Sequence, residues 1–138
     1  MKEQRELLES IPGFGPVTSA NFIAEVGDIN RFESAKQLAA YAGLTPRRHQ
    51  SGTSVDKPGR LSKRGNVRLR TSFYMGAMAA IRSNPFVINL ATRMEKEGKS
   101  RMCIIGAAMR KLVHLAYGVL KHQQPFDPNY LDNVLDIA

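Results

Sequence analysis

The chain has little of what a stapled, metal-bound or membrane-embedded protein needs. Its single cysteine, Cys103, excludes an internal disulfide, and three scattered histidines, His49, His114 and His122, supply no clustered zinc-ligand spacing. No metal site is expected in these residues. No apolar run approaches the roughly 18 residues that span a bilayer, and the first ten residues are too charged for a signal peptide. These absences point to a cytoplasmic protein with no membrane partner. Acidic residues are also scarce: 12 Asp and Glu face 20 Lys and Arg, a net charge of +8. At 138 residues with 43% apolar content the chain is long enough for one folded domain, residues 1–138, and too apolar to remain disordered. A basic domain of this size reads as a polyanion binder, with nucleic acid the first suspect.

The charge is concentrated. Between Arg47 and Arg70 lie Arg47, Arg48, Lys57, Arg60, Lys63, Arg64, Arg68 and Arg70, opposed only by Asp56, so this stretch carries +7 of the +8. One reading is a solvated basic loop entering a helix. The other is phosphate contact, with affinity that falls steeply with salt.

Helix signals dominate and predict an all-α fold. A short helix is expected over 2–10, then a tight turn at Ile11-Pro12-Gly13-Phe14-Gly15. The second helix should open at Pro16 and close at Gly27, burying Val17, Ala20, Phe22, Ile23 and Val26. Ser34 can cap a third helix through Tyr41, closed by Gly43. Residues 44–61 hold Pro46, Gly52, Pro58 and Gly59 and read as a long basic loop with room for a short β-hairpin over His49 to Val55. The helical core should follow over 62–122. Ser62 can cap a helix to Arg82, Asn84-Pro85 opens another to Glu97, and Ser100 caps a last one to His122, apolar nearly all round and central to the core. Small residues such as Gly76 and Gly106 would let the long helices approach closely, and a turn near Tyr130 to Val134 would follow. Cys103, Met94, Met102 and Met109 read as core filler.

Two motifs carry candidate chemistry. Residues 1–27 have the pattern of a helix-hairpin-helix: Gly13 and Gly15 would let the backbone approach a phosphate, with the second helix's free N–H groups and dipole aimed at the anion. Phe14 would wedge the two helices together, and Ser19 stands where such hairpins carry a small residue. The alternatives are an ordinary αα-turn with no ligand and a helical hairpin that binds only protein or packs against another domain of the same polypeptide. The second motif is Ser51-Gly52 among arginines, where a hydroxyl could attack a phosphodiester while the guanidinium groups offset charge on the phosphorus. Serine in a basic loop is also an ordinary phosphate donor or turn former. His49, two residues earlier, could take the serine's proton or simply contact phosphate, Ser54 and Ser62 are rival serines, and Asp56 could orient an arginine. Asn66 could reach a base or phosphate, or pack the helix start.

The order IPGFGP, LAAYAGLTP, SG and LSKRGNVRLR resembles the C-terminal transposase domain of the DEDD-type insertion-sequence transposases, a family that includes Piv-type DNA invertases. The resemblance covers residues 6–122. It implies that Ser51 is a nucleophile joined covalently to DNA. From the charge cluster and the hairpin motif, Gly13, Gly15, Arg47, Arg48, Gly52, Arg60, Lys63, Arg64, Asn66, Arg68 and Arg70 are the candidate DNA-contact set. The resemblance further implies an N-terminal RuvC-like partner domain whose four acidic ligands bind Mg2+, with some members using a guide RNA and a homo-oligomer as a further partner. No cofactor is expected in this chain, whose twelve acids show no four-carboxylate pattern. The chain would then be a piece of a longer transposase or a free-standing remnant, nucleoid-associated in a bacterium or archaeon, able to bind DNA without completing recombination. The competing classes are a non-catalytic helix-hairpin-helix module that binds DNA or RNA, and an interaction domain whose basic loop docks an acidic protein.

Overall fold

A computed structural model describes residues 2–44, 46–47, 60–61 and 66–129. Among these the fold is all-helical apart from one minimal strand pair, as the periodicity predicts. The helices are α1 (Lys2–Glu9), α2 (Pro16–Val26), α3 (Ala35–Tyr41), α4 (Val67–Ser83), α5 (Pro85–Lys96) and α6 (Arg101–His122), with a 3₁₀ turn over Ile29–Arg31. Strands β1 (Pro46–Arg47) and β2 (Arg60–Leu61) pair antiparallel, Pro46 opposite Leu61 and Arg47 opposite Arg60. The ladder therefore lies outside the expected hairpin over His49 to Val55, which falls outside the described residues, as does the turn near Tyr130.

The caps explain the boundaries. Ser34, Asn84 and Ser100 each accept backbone N–H bonds at the starts of α3, α5 and α6, as their types and positions predict. α3 closes with Gly43 at φ +74, the Gly43 N–H bonding Ala40 and the Leu44 N–H bonding Ala39, which turns the chain and buries Leu44. α4 departs from expectation. It starts at Val67 with Asn66 as its cap, whose side chain accepts from the Leu69 N–H, and Ser62 lies outside the described residues.

α6 is the hub, packing on α1, α3, α4 and α5 with Ile105, Met109, Leu112, Val113 and Ala116 buried. By length and composition this helix could cross a membrane, but two thirds of its most apolar window is buried inside the fold. Gly76 brings α4 close to it: a Cβ there would stand 3.3 Å from Leu112 Cδ1. The α2 stripe differs from the expected one. Ser19, Phe22 and Val26 face inward, while Val17 is 73% exposed and Ala20 is exposed too. Positions 19, 22 and 26 share one helical face, and two residues back from Ser19 places Val17 nearly opposite. Cys103 and Met102 are likewise exposed rather than core, because the buried row of α6 runs through 104, 105, 108 and 109, whereas Met109 is buried as expected.

Phe14 joins Phe22 and Phe73 in a triangle of edge-to-face rings with centroids 5.7 to 6.1 Å apart, so it wedges α2 against α4. Each such pair contributes about 1 kcal/mol beyond area burial.

Candidate nucleic-acid interface

The α1–α2 turn is built into the body. Gly13 has φ +111, and a Cβ on it would lie 2.8 Å from Ala80 Cβ and 2.9 Å from the Gly76 carbonyl oxygen. Its missing side chain thus serves the approach of the turn to α4. The fully buried Asn84, besides capping α5, donates from Nδ2 to the Pro12 carbonyl at 3.0 Å and ties the same turn down. Gly15 is different: it precedes α2 with φ −91 and has nothing within 4 Å of its would-be Cβ. With Pro16 lacking an N–H and Val17 exposed, the first turn of α2 is open at Gly15.

The second candidate region is organised by its stem. The Asn66 N–H bonds the Tyr41 carbonyl at 2.9 Å, and β1–β2 pairs Pro46–Arg47 with Arg60–Leu61, so the chain before and after the basic segment is held side by side at these described residues. Glu25 of α2 holds this junction. Its carboxylate accepts from Asn66 Nδ2 at 2.5 Å and pairs with Arg68 at 3.8 Å, while its backbone carbonyl accepts from the Tyr41 hydroxyl at 3.1 Å. Asn66 is therefore engaged at both ends of its amide. Arg68 keeps most of its side chain exposed, so its ion pair adds little stability.

Several expected site residues meet at this end of the molecule. Arg47 and Arg60 are opposite partners in the ladder, and Asn66, Arg68 and Arg70 follow from the stem into the first turn of α4. Arg48, Ser51, Gly52, Lys63 and Arg64 lie outside the described residues, as do His49, Ser54, Asp56 and Ser62. Gly13 and Gly15 belong to the turn at the other end of the antiparallel α2–α4 pair. Glu25 was not legible in the sequence, since nothing about a lone acid near the end of α2 signals a partner 41 residues on.

His114 stands apart, in a groove of about 640 Å³ bordered by Phe86, Leu115, Gly118, His122 and Phe126. Burial lowers its pKa, and the nearby Lys111 and Arg110 lower it further. Among the described residues no group of three or more His, Cys, Asp or Glu side chains could hold a metal ion.

Residues 5–92 match the family model described as Transposase IS116/IS110/IS902 family. The chain belongs to that transposase family. It is similar to the pilin gene-inverting protein of Moraxella bovis, 39% identical over 128 residues that make up 92% of this chain and 40% of the relative. The transposase for insertion sequence element IS1111A of Coxiella burnetii is 36% identical over 129 residues, 90% of this chain and 35% of that protein. The insertion element IS116 44.8 kDa protein of Streptomyces clavuligerus is 32% identical over 126 residues. The chain thus spans well under half the length of these relatives.

Proposed function

We propose that this chain is the DNA-binding, serine-bearing C-terminal domain of a DEDD-type transposase or invertase, acting on phosphodiesters through Ser51. The observation that supports this most is the stem: a bonded junction at Tyr41, Glu25 and Asn66 launches the segment that holds Ser51 and most of the net charge, in a family whose named members invert or transpose DNA.

In the proposed step the Ser51 oxygen attacks a backbone phosphorus, a serine–phosphate bond forms, and the bond to the departing sugar oxygen breaks. The hydroxyl proton passes to a base, His49 by its spacing, and the leaving oxygen takes up a proton. Arginines of 47–70 offset the negative charge that builds on the phosphorus oxygens, where preorganised cations act most strongly. Reversal by an incoming sugar hydroxyl rejoins a strand without an external energy source, since the ester is kept throughout. The helix-hairpin-helix reading of α1–α2 gives a sequence-independent phosphate contact through the backbone N–H groups after Gly15.

The remaining length of the protein would supply a RuvC-like domain and its Mg2+. On this reading this chain's part is to bind the phosphate and carry the nucleophile. A guide RNA and a second copy are further partners on this reading, and the working place is the nucleoid of a bacterial or archaeal cytoplasm.

The test is a denaturing-gel search for a protein–DNA adduct by the complete transposase, comparing Ser51→Ala, Ser54→Ala and Ser62→Ala. Ser51→Ala should bind DNA as before, one hydroxyl adding little to an arginine-dominated contact set, and form no adduct. Unimpaired adduct formation by Ser51→Ala would leave a non-catalytic binding module as the better description.

A further inference from the structure

The surface between α4 and α6 leaves Tyr74 and Met102 exposed beside the core residues Ile105 and Met109. The two helices run in the same direction and pack directly on each other, with α5 connecting the end of α4 to the start of α6. Arg70, Thr71 and Tyr74 of α4 and Met102, Ile105, Gly106 and Met109 of α6 line an open cleft of about 260 Å³. Ile105 and Met109 form its buried floor. Tyr74, 43% exposed, and Met102, 72% exposed, stand at its rim, and a Cβ on Gly106 would meet only the end of Arg110. Large apolar side chains left in water at a concave site gain by receiving a partner.

Charge decides which partner. Neither helix carries an acidic residue: α4 holds Arg68, Arg70 and Arg82, and α6 holds Arg101, Arg110, Lys111 and Lys121. Lys99 and Arg101 flank the start of α6 directly before Met102, and the acids nearest in sequence, Glu95 and Glu97, belong to the end of α5. An occupant with a flat apolar body and attached negative charge suits an aromatic and thioether rim under a cationic border. A base attached to its phosphate has that chemistry, and it must be unpaired, because a base stacked in a duplex cannot enter.

We propose that the α4–α6 cleft receives one unstacked base of a single-stranded stretch of nucleic acid, with Tyr74 and Met102 against its faces and Arg70, which lines the cleft, beside its phosphate. This rests on the reading of the chain as a DNA binder and adds to it a site for unpaired strand beside the start of α4, where the loop stem ends. Strand exchange exposes such a stretch.

The test uses the 138-residue chain and single-stranded oligonucleotides containing 5-iododeoxyuridine, cross-linked by light and mapped by peptide, together with affinities for single-stranded and blunt duplex DNA. The cross-link should fall within the peptides holding Tyr74 or Met102. Tyr74→Ala and Met102→Ser should each weaken single-strand binding, the tyrosine change by roughly tenfold, with Tyr74→Phe near normal and duplex affinity unchanged throughout. Unchanged single-strand affinity in Tyr74→Ala and Met102→Ser, with circular dichroism showing both folded, overturns the proposal. Loss of self-association in those variants, with oligonucleotide binding intact, also overturns it and gives the cleft to a second copy. Failure of the unmutated chain to bind either form of DNA removes the underlying DNA-binding reading as well.

Discussion

Two asparagines make the same pair of contacts in two regions that the sequence presents as equally suited to phosphate. Asn84 caps α5 and reaches the Pro12 carbonyl, while Asn66 caps α4 and reaches the Glu25 carboxylate. Asn84 is fully buried and locks the α1–α2 turn into the body, whereas Asn66 is half-buried and borders the segment that carries most of the net charge. A glycine in a turn can be required by an approaching helix or by an approaching ligand, and only the packing tells which. At Gly13 the neighbour is α4; at Gly15 there is none.

The largest effect that would break this contrast is at the two glycines. Gly13→Ala places a Cβ against the α4 backbone at a positive φ, so thermal and urea unfolding should show a loss of about 3 kcal/mol. Gly15→Ala, at an ordinary φ with open space, should cost under about 1 kcal/mol. That leaves Gly15→Ala the clean probe of hairpin contact with DNA. Equal stability in the two variants would remove the distinction between a packed and an open turn.

The asparagines come next. Asn84→Ala deletes a buried cap and strands the Pro12 carbonyl, an expected loss of about 2 kcal/mol in urea unfolding. Asn66→Ala loses a half-buried cap, about 1 kcal/mol, with Glu25 freed to solvent and Arg68. The ordering, more than either value, is the check: a larger loss at Asn66 would make the stem, not the turn, the more tightly built region.

Much of the body was legible in sequence because its signals are local. Pro16, Ser34, Gly43, Asn84, Pro85, Gly98 and Ser100 mark helix ends through cap and turn chemistry within a few residues, and α6 announces itself by being apolar on nearly every face. The errors lie where a pattern leaves two faces open. Val17 and Ala20 fit an apolar stripe on α2 as well as Ser19 does on size alone, and Cys103 and Met102 look like core until the α6 row through 104 and 105 is known. The stem was illegible for a different reason: the Glu25 to Asn66 bond and the Tyr41 to Asn66 bond are long-range, and no periodicity encodes them. The charge of 47–70 is legible as a count along the chain, and the fold brings its described members Arg47, Arg60, Asn66, Arg68 and Arg70 to one end.

A smaller effect should appear with pH. His114 has its pKa lowered by burial and then by Lys111 and Arg110, so the unfolded chain binds a proton more readily than the folded one. Stability should be full above the ordinary histidine pKa and decline as pH falls below about 6.5, levelling off below the lowered folded value. In His114→Gln that part of the acid decline should disappear from urea midpoints measured between about pH 7 and 5. An unchanged pH profile would mean that the groove leaves His114 as free to protonate as in the unfolded chain.

The most direct measurement on the proposed interface is the salt dependence of DNA affinity for the chain and for the triple variant Arg47→Ala, Arg60→Ala, Arg68→Ala, compared with Arg5→Ala on α1. If the stem end contacts phosphate, log K should fall linearly with log salt, and the triple variant should flatten that slope by about 2 to 3, with Arg5→Ala leaving it unchanged. An affinity that does not move between about 50 and 300 mM salt, or a slope the triple variant leaves intact, would contradict a phosphate-binding role for this end of the molecule.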